Sequence, residues 1–144
     1  MKIIPIGADH AGFQLKEQVS QYLQDLGYEV KDFGCFSEES IDYPDYAHPV
    51  ADLVEANQGM LGIIICGSGN GINMTANKHS GIRSALCWKK EIAELARQHN
   101  NANIITLPAR FITEEEAIEM VDVFLATEFE GGRHQNRIDK IACQ

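Results

Sequence analysis

Gly62-Ile63-Ile64-Ile65-Cys66-Gly67-Ser68-Gly69-Asn70-Gly71 is the stretch that decides the fold of this 144-residue chain. A β-branched apolar run of strand length ends in a cysteine. Gly67, Gly69 and Gly71 follow at alternate positions, before the helix-compatible Ile72–Lys78. The run reads as a buried strand. A strand feeding a glycine loop and then a helix presents backbone N–H groups where negative charge is stabilised, either a bound anion or an oxyanion formed during a reaction. A thiol at the strand end is expected to feel the same field, in the direction of thiolate.

Outward from that stretch the chain alternates. Lys2–Ile6, Tyr28–Phe33, Arg83–Cys87 and Ala102–Leu107 read as four further strands. Helical spacing covers Phe13–Leu26 with Gly27 as its stop, then Ala47–Asn57, Lys89–His99 and a helix opened by Thr113-Glu114-Glu115-Glu116, a capping signal. A last helix is predicted over Arg133–Ala142, behind Gly131-Gly132, while Gly34–Tyr46 reads as a polar loop. No repeat or linker interrupts the pattern, so residues 1–144 read as one α/β domain. Its five-stranded parallel sheet is expected in the flavodoxin-like order 2-1-3-4-5 with helices on both faces. In that order strands one and three are neighbours at the switch point where ligands bind, so Asp9-His10 and Cys66-Gly67 should meet.

Composition narrows the function. A net charge of −9 disfavours nucleic acid and anionic membrane surfaces as partners. The longest apolar run is one strand long, and Asp9 and His10 follow the first apolar segment too soon for a secretory signal. Cys35, Cys66, Cys87 and Cys143 show no paired spacing, which points away from a zinc ribbon or disulfide scaffold and toward a reducing cytoplasm.

Each candidate residue also has a plain structural explanation. A strand-end cysteine is usually inert packing, but packing needs no glycine loop behind it. A phosphatase-type cysteine loop would require arginine where Ile72 stands, and neither the P-loop lysine nor the dinucleotide GxGxxG pattern is present. Asp9-His10 suits a turn as well as a site. His99-Asn100-Asn101 suits a helix C-cap, with the histidine complementing the dipole. Arg133 and Arg137 lie one turn apart on one helix face, either a solvated basic patch or a phosphate fork. His48 and His79 have no ligand spacing, so no metal is predicted. Together these parts fit proton abstraction beside a carbonyl in a phosphorylated metabolite, without metal or cofactor; hydrolysis by a cysteine nucleophile is the alternative.

At this point the sequence resembles the type B ribose-5-phosphate isomerases, the family that also contains galactose-6-phosphate isomerase subunits. The matching segments are Gly7–Gly12, Asp42-Tyr43-Pro44-Asp45, Cys66–Gly71, Ala76-Asn77-Lys78, Gly81-Ile82-Arg83, His99–Asn103 and Arg133-His134-x-x-Arg137, in the family's order along the whole chain. The resemblance implies a Rossmann-like three-layer α/β/α homodimer, or a dimer of dimers, with active sites at the subunit interface. It implies a pentose-phosphate-pathway isomerase acting on ribose 5-phosphate through a cis-enediolate, with no cofactor; a six-carbon sugar phosphate, or sugar-phosphate binding without catalysis, are the alternatives.

By that resemblance Cys66 is the base and Ser68 assists with its hydroxyl. Asp9 handles a substrate hydroxyl proton, and the Gly67, Gly69, Asn70 and Gly71 backbone holds the enediolate. His99 reaches in from the partner to open the furanose ring, with Asn100 beside it. His10, Arg110, Arg133 and Arg137 bind phosphate, the last two from a final helix that also joins the dimer, and Tyr43 lines the sugar pocket. Ser68 replaces a common threonine and keeps the hydroxyl. Asn70 matches members whose base is a glutamate just after the loop, where this chain has Ile72, which leaves Cys66 as the base. Pro108 replaces a glycine usual before the arginine numbered Arg110.

Overall fold

A computed structural model describes residues 2–143. Five parallel strands, β1 (Ile3–Ala8), β2 (Glu29–Asp32), β3 (Gly62–Cys66), β4 (Ser84–Leu86) and β5 (Ile104–Pro108), form one sheet. The helices are α1 (Phe13–Asp25), α2 (Pro44–Ala56), α3 (Asn70–Ala76), α4 (Lys90–Asn100), α5 (Glu114–Ala126) and α6 (Arg133–Ile138), with a single 3-10 turn at His10–Gly12. Alternate residues of β3 feed opposite faces. Ile63 and Ile65 pack with α1, α4 and α5, whereas Ile64 and Cys66 pack with α2 and α3. All three isoleucines are fully buried, each worth about 1.5–3 kcal/mol of transfer free energy. The three layers follow from that alternation.

The strand order is β2-β1-β3-β5-β4, not the predicted 2-1-3-4-5. β5 pairs with β3 from Gly62↔Ile104 to Cys66↔Pro108, and β4 takes the edge. Burial explains the exchange. Ile104-Ile105-Thr106-Leu107-Pro108 is buried along its whole length, as an interior parallel strand must be, while the three residues of β4 are half-buried. A short strand with one partner belongs at an edge.

Strand ends shift by one or two residues, and three helix boundaries differ as well. Helix α2 begins at Pro44, so Asp42–Asp45 opens a helix instead of lying in a loop; proline at the first helical position needs no N–H partner and brings the right φ. Helix α3 stops at Ala76, and α6 ends at Ile138 instead of Ala142. The capping box at Thr113 forms as expected: its Oγ1 accepts from the Glu116 N–H at 3.1 Å, and Glu116 accepts from the Thr113 N–H at 2.9 Å. Among the described residues no helix is long and apolar enough to cross a membrane.

Candidate active site

The switch point forms because β1 and β3 are neighbours, with Ala8 opposite Ile65. The Asp9 N–H donates to the Ile65 carbonyl at 3.2 Å, which brings the ends of the two strands together. The buried Asp9 carboxylate accepts from the Gly12 N–H at 3.0 Å and caps the 3-10 turn. Gly12 is required there, since a Cβ would stand 2.8 Å from the Ile65 carbonyl oxygen. His10, in the same turn, accepts the Ile41 N–H through Nδ1 at 3.2 Å. An accepting Nδ1 carries no proton, so the neutral ring offers its N–H at Nε2. The turn expected at Asp9-His10 forms, and it forms at the switch point beside β3.

Cys66 is buried at the end of β3. Three opposed influences act on its thiol. Burial, the largest, pushes its pKa up. The backbone N–H groups of Ile72, Gly69 and Gly71 pull it down, and the charge of Asp9 pushes it up again. The net direction is upward, opposite to the expectation of a field that favours thiolate. The loop donors exist as predicted, but a desolvated site beside a carboxylate outweighs them.

The loop's shape depends on its glycines. Gly69 has φ of +81° and stands as N-cap of α3, and a Cβ there would crowd the Leu86 side chain and approach Thr106 Cγ2 to 3.2 Å. At Gly71 a Cβ would meet the Tyr43 hydroxyl at 2.7 Å, so the tyrosine lies directly against the loop. At Gly67 a Cβ would stand 3.2 Å from Arg110 Nη1, so this guanidinium lies over the loop's first residue. The Arg110 N–H also donates to the Gly67 carbonyl at 3.0 Å, and Ala109 N–H to the Cys66 carbonyl at 2.9 Å. Pro108, pairing with Cys66, does not disturb this placement. Ser68 Oγ accepts from the Asn70 N–H at 3.2 Å, and Asn70 is exposed.

Sequence reasoning missed the support behind the loop. Thr106, fully buried on β5, donates to Asn73 Oδ1 at 2.8 Å and meets Ser84 Oγ at 2.9 Å, tying α3 to both neighbouring strands. A lone threonine inside an apolar strand was the available signal.

His99, Asn100, Arg133 and Arg137 are not part of this cluster. Helix α4 ends at Asn100 and leads into the start of β5, so His99 lies at the amino end of the sheet, on the side of α1 and α5. Cys66 is level with Pro108 at the other end of β5, about 13 Å away along the strand at about 3.3 Å per residue. Helix α6 packs on α4 and brings the exposed Arg133 and Arg137 to that same far end. The His99 ring stacks on His134 at 4.4 Å between centroids, and both face Glu130. The C-cap itself is Asn101, with φ of 45°. Arg83 donates to the carbonyls of Asn100 and Asn101 at 3.0–3.1 Å, so His99 is not needed as the cap. The Gly81–Arg83 and Asn103 motifs serve the same corner, where Asn103 accepts from Arg83 N–H at 2.8 Å and donates to the Gly81 carbonyl at 2.9 Å.

A thiol and a carboxylate under aimed N–H groups, at the carboxyl edge of a parallel sheet, make this an α/β protein suited to acid–base chemistry on an anionic intermediate. The sequence profile described as Ribose/Galactose Isomerase matches residues 4–141. The chain belongs to that family. It is 44% identical to ribose-5-phosphate isomerase B of Escherichia coli, over 99% of this chain and 96% of the relative. A probable ribose-5-phosphate isomerase B of Mycoplasma genitalium is 49% identical, over 94% of this chain and 91% of the relative. Among solved structures, a ribose 5-phosphate isomerase from Thermotoga maritima superposes with a TM-score of 0.95 at 52% identity, covering 98% of this chain and 97% of that one. The Mycoplasma genitalium enzyme with bound ribulose-5-phosphate gives 0.93 at 48% identity, covering 96% and 93%.

Proposed function

We propose that this chain is an aldose–ketose isomerase that interconverts ribose 5-phosphate and ribulose 5-phosphate, with residues 1–144 forming one catalytic domain. The observation that carries the reading is the meeting of Cys66, Asp9 and the loop N–H groups at the switch point, in a member of this family.

In the forward direction Cys66, as thiolate, removes the proton from C2 of the open-chain aldose. The electron pair moves into the C1–C2 bond and charge collects on O1. The N–H groups of the Gly67–Gly71 loop stabilise that enediolate oxygen. Asp9 carries the O2 hydroxyl proton toward O1, with the Ser68 hydroxyl assisting, and Cys66 returns its proton to C1. A thiol whose pKa is raised is less often ionised but a stronger base once it is, which suits a weak carbon acid. His10, through its Nε2 proton, and Arg110 are donors for the substrate at this end, and Tyr43 lines the pocket.

His99, Asn100, Arg133 and Arg137 lie too far from Cys66 in the same chain to share its substrate, so we assign them to the site of a second protomer. There His99 opens the furanose ring and the two arginines bind phosphate. A homodimer is the minimum assembly this requires. The four free cysteines support a reducing, cytoplasmic setting.

The test is NMR of ribose 5-phosphate with metal-free protein in D2O, comparing wild type with Cys66→Ala. Ribulose 5-phosphate with deuterium at carbon in wild type alone is the expected result. Conversion independent of Cys66 would overturn the mechanism. No conversion, or higher kcat/KM on six-carbon phosphates, would overturn the substrate.

A further inference from the structure

The amino end of the sheet holds a second cluster of chemically active groups, His99, Glu130 and His134, whose donor atoms all lie within 4.8 Å of one another. His99 Nε2 is 3.7 Å and His134 Nε2 3.5 Å from the same carboxylate oxygen, Glu130 Oε1. Zinc bonds of about 2.0–2.1 Å at tetrahedral angles separate neighbouring donors by about 3.4 Å, so each imidazole stands within a few tenths of an ångström of the spacing a metal needs from the shared Glu130 oxygen, and an ion would draw the two stacked rings' nitrogens together. Two imidazoles and one carboxylate, with a fourth position open, form the donor set of an open zinc site.

The cluster is held in place by groups other than its own. Arg97 Nε donates to the Thr127 carbonyl at 3.1 Å, and the Glu130 N–H donates to the Gln98 carbonyl at 3.0 Å. These bonds fix the segment after α5 against the end of α4, with Glu130 beside His99. Gly131 and Gly132, with φ of +73° and +60°, then turn the chain so that His134 comes back over His99. Arg133 and Arg137 on the same helix oppose weakly held hard cations such as Mg2+ or Ca2+. Imidazole donors compensate for a borderline transition ion, and the overall charge of −9 favours its approach.

We propose that His99, Glu130 and His134 form a binding site for a divalent transition metal such as Zn2+, and that the bound ion reversibly inhibits the enzyme by occupying the Nε2 of His99. Binding depends only on this cluster. Inhibition rests on the ring-opening role proposed for His99.

Metal-free protein titrated with Co2+, followed by its visible d–d bands, tests the site. Expected is one equivalent per chain without a thiolate charge-transfer band, with affinity reduced about tenfold or more in Glu130→Gln and in His134→Gln, since even outer-shell partners act on that scale. His48→Gln is the control, because His48 and His79 form a rival pair 2.7 Å apart. A thiolate band, unchanged affinity in the two cluster variants, or loss of binding in His48→Gln would overturn the site. Zn2+ should inhibit wild type, and a chelator should restore it. Stoichiometric binding at the cluster without inhibition would overturn the inhibitory half of the proposal and the role of His99, while leaving the metal site standing.

Discussion

Cys66 and Cys87 are both buried thiols at the carboxyl ends of parallel strands, yet their surroundings have little in common. Cys87 follows β4 with its Sγ 3.5 Å from the Ala85 carbonyl oxygen, and burial alone pushes its pKa up to about 12. Cys66 is a little less deeply placed, and the N–H groups of Ile72, Gly69 and Gly71 hold its rise in check. The difference lies in the backbone behind each thiol. A desolvated thiol without donors is a small apolar residue; one with three aimed N–H groups can ionise when needed.

Substitution at both positions is the sharpest way to break the comparison. Cys66→Ala should lower kcat by about 10²–10⁴-fold with KM little changed, as expected for removal of a general base. Cys87→Ala should leave kcat within about twofold, since it touches no proposed substrate group, while costing about 1 kcal/mol in denaturant unfolding for a small cavity. Equal kinetic losses would dissolve the distinction.

Next in size is the phosphate end. Arg137→Ala should raise KM by an amount equivalent to about 1.5–3 kcal/mol, the loss of one charged hydrogen bond. An unchanged KM in Arg133→Ala with Arg137→Ala would place the phosphate elsewhere.

The pH profiles separate the thiols more finely. The raised Cys66 pKa means that kcat/KM should keep climbing above about pH 8.5, the ordinary thiol value. Asp9→Asn removes a like charge, so the midpoint for alkylation of Cys66 should move to lower pH. A midpoint moved upward would contradict the electrostatic account.

Cys87 speaks to stability instead. Its thiol stays protonated in the fold after it has ionised in the unfolded chain. Its contribution is present below the ordinary thiol pKa and fades as pH rises toward about 12. Wild-type stability should therefore fall over that alkaline interval, and Cys87→Ala should make the fall shallower.

The same contrast shows how much the sequence disclosed. Ile63-Ile64-Ile65 with three alternate glycines is a local pattern, and local patterns predicted the strand, the loop and the start of α3; the β1–β3 meeting came from the flavodoxin-like order, whose first three strands hold. The order of the last two strands was not local. It depended on which of Ser84–Leu86 and Ile104–Pro108 could tolerate burial on both faces, whereas the flavodoxin-like order places the strands by sequence position alone. The direction of the Cys66 shift escaped for a similar reason: the donors are visible in the glycines, but the depth of burial is a tertiary quantity. Glu130 and His134, four residues apart, gave no ligand motif because His99 comes from another helix.

The position of β5 between β3 and β4 also governs how the chain is built. β4 is made before β5, yet among the described residues β5 is its only strand partner, synthesised some twenty residues later. As the protein emerges from the ribosome, β2, β1 and β3 can assemble while β4 has nothing to join. The edge of β3 stays open until Ile104–Pro108 arrives. A nascent chain halted near residue 100 therefore exposes an isoleucine-rich strand edge, the kind of surface on which partly made chains pair with one another.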